Sequence, residues 1–429
     1  MPFLQNLFSF PDRIPASRRR FGGVLMGVLL AASAAHAEQA ALVTPTDTPP
    51  QVVFEVVLAE IALKRDKPQV ALAAYADLAL KYNDPGIFRR TLEIAALNRR
   101  PELMLETARL WTEREPESTD ALSAFSGMLL IVGRYADAQP ILARYLALLP
   151  ADERGKALLQ LTQRFPPQAD PKQARALVDA VTAPYLSLPD AQLARAQMAL
   201  RAGDETDALT AIRKVRSLEP GSEPALLLEA QIVAAHRPDA LPGLFAGFLA
   251  QHPNAATIRA LYAQQLLRDG HPLEARGEVV RLLDQSDVAP EPLFAAAAVA
   301  VQAQAPELAI RALNRLLTVD AIDTSLIEYN LGLAFEAQAD LDRARPGEVA
   351  VAKAAESDAI MHYLLVRRGD YFIAARLRAA SLMTRRGDLA GARTLLHNTA
   401  VPDAAGRAEL VIGEATLVSE SGDKKAAVQ

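Results

Sequence analysis

The sequence predicts an all-α solenoid of about ten stacked helical hairpins, on the strength of its spacing, composition and length. A turn-and-proline signal recurs: Gly133 precedes Pro150, Gly203 precedes Pro220, and Pro116 stands 34 residues before Pro150. Self-similarity at such a period marks supersecondary units that bury their apolar faces only by stacking. Of 429 residues, 51% are apolar but only one is Trp and nine are Tyr, so small and aliphatic side chains must fill the interior. Strong helix formers occupy nearly every segment, and Val-, Ile- and Thr-rich runs between hairpin dipeptides are missing. The chain is too long for one ordinary core yet shows no compositional break into globular halves, a combination that a solenoid resolves.

In chain order, Arg18, Arg19 and Arg20 precede an apolar run from Phe21 to Ala35, and Ala35-His36-Ala37 stands before Glu38. A basic flank, a short apolar run and a small-x-small site predict a cleavable export signal over residues 1–37. As a helix the run would rise about 22 Å, short of the ~30 Å hydrocarbon core. Ser17-Arg18-Arg19-Arg20-Phe21 also resembles the twin-arginine export motif, although Gly22 and Gly23 follow, so Sec and twin-arginine routes both fit. No Cys is available for lipid attachment. The expected location is the periplasm of a Gram-negative bacterium, soluble or peripherally envelope-associated, with no integral membrane span after cleavage.

Residues 38–51 read as a polar, proline-bearing linker. The first hairpin runs through Phe54, Leu58, Ile61 and Leu63, turns at Asp66 to Pro68, and returns through Ala71, Leu72, Tyr75 and Leu78. Residues three and four apart share a helix face, so both segments carry an apolar stripe. The second unit turns at Arg99-Arg100-Pro101 and closes at Pro116; the third turns at Gly133-Arg134 and closes at Pro150. In the third, Ser126 on the first helix is expected to face Ala138 on the second, because small residues let helices approach closely. The register continues with units near 52–84, 85–117, 118–151, 152–187, 188–221, 222–254, 255–288, 289–321, 322–370 and 371–403, grouped as N-terminal repeats (52–187) and C-terminal repeats (188–403). Pro166-Pro167, Pro171 and Pro184 predict altered helix lengths within 152–187, and Pro346-Gly347 is expected to break a second helix. Residues 404–429 read as an incomplete final repeat or cap: a helix from Ala408 to Val418, Gly422 at the turn, and little chain for a mate. A natural cap, a docking surface and a shortened gene all account for that.

These units resemble tetratricopeptide repeats, whose pattern is a small residue on the first helix, Gly near the turn, Ala on the second helix and Pro at the end. Gly133, Ala138 and Pro150 match it, as do Gly203, Ala208 and Pro220, then Gly270 with Ala275 and Gly387 with Ala392. Asn330-Leu331-Gly332 with Phe335, followed by Ala344 on the next helix, is a partial match; Met104 and Leu241 stand at the Ala position, and Asp66 and His236 at the turn Gly position. The resemblance implies a right-handed superhelix with a long concave face suited to a protein or extended peptide.

Catalytic signals are hard to find. The six His residues form no HExxH motif or close pair, no Gly-rich phosphate loop occurs, and carboxylate pairs such as Glu102 with Glu106 read as solvated helix faces. The absence of Cys excludes disulfides and thiol catalysis. With 46 basic and 51 acidic residues mixed along the chain and a net charge of −5, nothing points to nucleic acid. A non-enzymatic interaction scaffold without cofactor or metal is the expectation. Two segments are candidates for partner binding: Arg89, Arg90, Arg99 and Arg100 as a basic cluster, and Tyr371, Phe372 and Arg376 as an aromatic and basic patch. Solvated charge and inter-helix packing are their plainer readings.

The wording from Leu58 to Glu113 and from Gly369 to Leu396 is similar to a group of long proteobacterial envelope tetratricopeptide proteins. That group includes an outer-membrane lipoprotein adaptor of a periplasmic carboxyl-terminal processing protease, which also binds cell-wall hydrolases. The resemblance implies an adaptor with the same kind of partners, although this chain lacks a lipobox Cys. The alternative is a periplasmic assembly factor for an envelope polymer export system.

Overall fold

The computed structural model describes residues 49–319 and 324–420; the expected export signal, nearly all of the linker, Gly422 and residues 423–429 lie outside them. Those described residues form 21 α-helices and no strand. They fall into two compact units that divide at Ile232.

In the first unit α1 (Pro50–Lys64) pairs with α2 (Pro68–Lys81), α3 (Pro85–Leu97) with α4 (Pro101–Arg114), and α5 (Thr119–Ile131) with α6 (Tyr135–Leu148). Then come α7 (Ala151–Gln163), α8 (Pro171–Thr182), α9 (Pro189–Arg201) and α10 (Glu205–Leu218). The division falls inside α11 (Glu223–His236). The second unit continues through α12 (Leu241–Gln251), α13 (Ala256–Arg268), α14 (Pro272–Leu283), α15 (Pro290–Gln302) and α16 (Pro306–Leu317). Its later helices are α17 (Thr324–Arg343), α18 (Val349–Leu365), α19 (Phe372–Arg385), α20 (Leu389–His397) and α21 (Ala404–Glu420).

Nine of these helices begin on proline, where the missing N–H is one the helix would leave unpaired anyway. Carboxylates also cap helix starts: Asp170, Asp204 and Asp388 accept from the backbone N–H three residues on, at 2.8, 3.1 and 2.8 Å.

The turn inside a hairpin has one recurring solution. Asp66, Arg99, Gly133, Gly203, Gly270, Gln304 and Gly387 all have positive φ, and in each case the next residue's N–H returns to the carbonyl five residues earlier. That is the Schellman ending, in which one left-handed residue lets the chain reverse while satisfying the last carbonyls. Five residues beyond it the chain places Ala71, Ala138, Ala208, Ala275, Ala309 and Ala392, all at 0% exposure. The short side chain sits where the second helix crosses closest to the first. Ser126, opposite Ala138 in the expected register, is likewise fully buried. Met104 takes the Ala position of the second hairpin and is half-buried.

Three hairpins depart. Helix lengths in 151–182 are not altered as expected: α7 and α8 span 13 and 12 residues, because Pro166 and Pro167 lie in the connection and Pro171 opens α8. The change is in packing instead, since α7 lies mainly on α9 and α8 on α6 and α9. His236 ends α11, and a short 3-10 turn (Pro238–Ala240) replaces the left-handed residue. Pro346 and Gly347 lie between α17 and α18 and break neither, because α17 extends to 20 residues; Ala344 therefore sits in the connection rather than on the next helix. The long pair instead meets where Gly332 on α17 faces the ring of Tyr363 on α18.

Small and aliphatic side chains make up most of the core, as composition predicts. Trp111 is the chief exception, 1% exposed, stacked on Phe88 at 5.6 Å and donating its indole N–H to Glu115 at 2.9 Å. Arginines seal helix ends: Arg114 on α4 donates to the carbonyls of Ala79, Tyr82 and Leu80 at the end of α2, and Arg315 on α16 donates to those of Leu283 and Ser286 beyond α14. A cation there satisfies orphan carbonyls and complements the helix dipole.

Candidate functional site

The four arginines of the first candidate divide among different tasks. Arg90 forks onto Glu60 of α1 through Nε and Nη2 at 2.8 and 2.9 Å and reaches Glu93 at 2.7 Å, while the hydroxyl of Tyr75 on α2 donates to Glu60 at 2.8 Å. One carboxylate thus ties α1, α2 and α3 together. The hydrogen bond from Arg90 holds the Glu60 carboxyl below its ordinary 4.5. Burial, and then the bond to Glu60, push the Tyr75 phenol up to about 12. Arg89 is exposed, donating to the carbonyl of Pro85 at 3.3 Å and lying 3.9 Å from Asp120. Arg99 is the left-handed turn residue at φ 54°, and Arg100 is the N-cap position of α4. Arg89 and Arg90 lie near the middle of α3, whereas Arg99 and Arg100 lie beyond its C-terminal end, so the four do not form one cluster.

Of the second candidate, Phe372 and Arg376 are brought together at one cleft, whereas Tyr371 packs against α17 and does not line it. Tyr371 stacks on Tyr329 of α17 with centroids 4.9 Å apart and stays 41% exposed. Four residues along α19 from Phe372, the guanidinium of Arg376 lies 4.8 Å from the Phe372 ring centroid and donates to the carbonyl of Tyr363 at 2.9 Å. Phe372 and Arg376 form one wall of an open cleft of about 490 Å³, closed on the other by Thr394, Leu395, Asn398 and Thr399 at the end of α20. These α20 residues carried no signal in the sequence: Thr and Asn at a helix end read as ordinary capping.

Behind this cleft runs a polar network that the sequence did not reveal. Tyr363, fully buried, donates to Glu336 at 2.9 Å, and Arg378 reaches the same carboxylate at 3.2 Å. Burial, and then the charge of Glu336, hold the Tyr363 phenol well above its ordinary 10. Arg385 approaches Glu336, Asp340 and Glu356, and Arg343 pairs with Glu356, itself 4% exposed. His362 pairs its Nδ1 with Glu328 at 2.6 Å and stacks on Phe335 at 5.2 Å. His362 is thus a satisfied helix residue with a carboxylate partner.

Outside this region, Arg175 joins Asp179, Asp204 and Asp207, and Arg259 is buried with Glu278 inside the α13–α14 hairpin. These groups are partnered by one another, which suits a structural role. No cluster of potential metal ligands occurs among the described residues. None of their helices is long and apolar enough to cross a membrane.

Exposed apolar side chains concentrate on α1, where Val53, Phe54, Val57, Leu58 and Ile61 are 40–62% exposed. The spacing i, i+1, i+4, i+5, i+8 places them on one helix face.

No family model matches the chain. A TPR repeat-containing protein of Pseudomonas aeruginosa is 26% identical over 215 residues, covering 49% of this chain and 35% of that protein, so the chain spans about a third of that relative's length. Among solved structures, Naa15/Naa10 bound to HypK-THB is similar at TM-score 0.43 and 14% identity, covering 88% of this chain and 56% of that one. A tetratricopeptide repeat protein from Parabacteroides merdae is similar at TM-score 0.33 and 11% identity, covering 66% and 98%. With tetratricopeptide-repeat proteins this chain shares stacked helical hairpins throughout its described residues and recognisable sequence over about half its length.

Proposed function

We propose that this chain is a non-enzymatic protein-protein interaction scaffold of the periplasm, acting as an adaptor that presents cell-wall hydrolases to a carboxyl-terminal processing protease. The architecture carries the scaffold part: consecutive hairpins whose polar groups are largely spent on one another, with exposed apolar side chains gathered on α1. Contiguous exposed apolar surface of that kind marks interaction sites. The similarity of Leu58–Glu113 and Gly369–Leu396 to the envelope tetratricopeptide group supports the adaptor role, and the basic, apolar and small-x-small succession at Arg18–Ala37 supports the location.

The test is capture of the chain from solubilised cell envelope, read by mass spectrometry, with hydrolase levels followed after its deletion. The adaptor reading expects protease and hydrolases to co-purify and hydrolases to persist in the deletion strain. Co-purification with an outer-membrane export complex, together with loss of a surface polymer, would replace it with the export-assembly reading.

A further inference from the structure

The exposed apolar stripe of α1 runs straight into positive charge. Val53, Phe54, Val57, Leu58 and Ile61 are spaced so that Lys64 and Arg65 continue the same line one turn on, and both are exposed. Next come the left-handed Asp66 and then Lys67, the N-cap position of α2. The turn of the second hairpin is laid beside this one, since the side-chain amide of Asn98 donates to the carbonyl of Pro68 at 3.4 Å. Arg99 and Arg100 follow Asn98, so five exposed cations gather where the apolar stripe runs out.

Nothing within the described fold uses these cations. Lys64, Arg65, Lys67, Arg99 and Arg100 make no ion pair and no side-chain hydrogen bond among the described residues, and Lys64 acts on Glu60 only through space. Arg114 and Arg315, by contrast, close the ends of neighbouring helices. Lys67 and Arg100 even stand at N-cap positions, where neither side chain caps and the helix dipole disfavours a cation. The exposed acids on this edge are Asp66 and Glu102, two against five cations. With a net charge of −5 on the whole chain, the edge inverts the overall sign.

An apolar helix face beside a positive edge is complementary to a surface that is anionic on top and apolar beneath. A bilayer of anionic lipid has that layering, with phosphates to meet the cations and acyl chains to take the stripe. From Val53 to Ile61 the stripe is about 12 Å long, a length that lies in the plane of a bilayer and does not cross it.

We propose that α1 lies in the plane of an anionic membrane surface, its Val53–Ile61 face among the upper acyl chains and the five cations on lipid phosphates. The inference goes beyond the scaffold reading: it gives this face of the first unit to the bilayer and leaves the later hairpins to protein partners.

For the test, the chain is purified as it occurs in the cell envelope and sedimented with vesicles of phosphatidylcholine and phosphatidylglycerol, or of phosphatidylcholine alone. Binding is expected with the anionic lipid only, and should fall about tenfold or more as salt rises from about 0.1 to 1 M, where the screening length contracts from about 10 to 3 Å. Phe54→Ser/Leu58→Ser should weaken it about tenfold or more, and Lys67→Gln/Arg100→Gln about 25-fold, at about fivefold per cation. All four side chains are exposed, so neither variant should melt earlier than the wild type. Earlier melting of the Phe54 variant would mean that another part of the chain covers the stripe, and would overturn the proposal. Equal binding to both lipids, binding indifferent to either variant, or no binding would each overturn it too. Sedimentation velocity without lipid tests the other occupant: a dimer that Phe54→Ser/Leu58→Ser disperses would give the stripe to a second copy instead. Capture of protein partners from solubilised envelope is scored separately, and both variants are expected to retain it. Wild-type capture without vesicle binding defeats this inference alone, whereas absence of capture defeats the scaffold reading.

Discussion

Replacing Gly332 by Ala sets two effects of opposite sign against each other. Gly332 lies inside α17, where Ala is the better helix former by about 1 kcal/mol. A Cβ there would stand 2.4, 2.5 and 2.8 Å from Cε1, Cδ1 and Cζ of Tyr363. That ring cannot swing aside at low cost, because it is fully buried and its hydroxyl is bound to Glu336 at 2.9 Å. Three ring atoms inside contact distance put the overpacking penalty near the upper end of its range, about 3 kcal/mol. The net expectation is a loss of about 2 kcal/mol, or roughly 4–8 °C in the transition of a unit of this size. Gly277 in α14 is the control, since nothing lies within 4 Å of its Cβ position, and Gly277→Ala should stabilise by about 0.5–1 kcal/mol. Thermal melts of both variants by circular dichroism, repeated with Gly332→Ala/Tyr363→Leu, make the comparison. A Gly332→Ala chain as stable as the wild type, or no recovery in the double variant, would refute the close crossing of α17 and α18.

Glu278→Ala should destabilise by about 3–5 kcal/mol, because it strands the buried guanidinium of Arg259, and urea denaturation would read the loss. Arg99→Gly and Gln304→Gly relieve left-handed backbone and should each raise stability by about 0.5–1 kcal/mol in the same assay, whereas Gly133→Ala should lower it by about 1 kcal/mol. Glu60→Gln should destabilise at neutral pH by weakening the tie to Arg90 and Tyr75. Since the Glu60 carboxyl is depressed in the folded chain, its contribution is present above the ordinary 4.5 and is lost as pH falls through the folded value. The gap in melting temperature between wild type and Glu60→Gln should therefore narrow below about pH 4.5, and a gap constant with pH would contradict the assignment.

Local rules made the hairpins legible in the sequence, because their turns obey them. A glycine and an alanine five residues later identify the Schellman turn and the close helix crossing without knowledge of what packs outside. The same rule did not reveal Gln304, and it did not show that Arg99, within the expected turn, is left-handed, since a left-handed residue that is not glycine has no signature of its own. Tyr371, Phe372 and Arg376 could be singled out because aromatics are scarce in this Ala-rich chain. Their neighbours Thr394 and Asn398 could not, since they come from the next helix and look like ordinary helix-end residues.

By itself the sequence determined the helical class, the repeat spacing, most turn positions and the small-residue crossings, all set by contacts within about 34 residues of chain. Tertiary structure alone decided which charges are spent and which remain open. Arg90 looked like part of a basic surface and is neutralised by Glu60 from the preceding hairpin, whereas Arg100 looked no different and pairs with no acid among the described residues. Helix propensity and apolar spacing do not specify the partner of an exposed-face charge. That depends on which side chains adjacent hairpins bring within a few ångströms, where Coulombic and hydrogen-bond energies become large enough to matter.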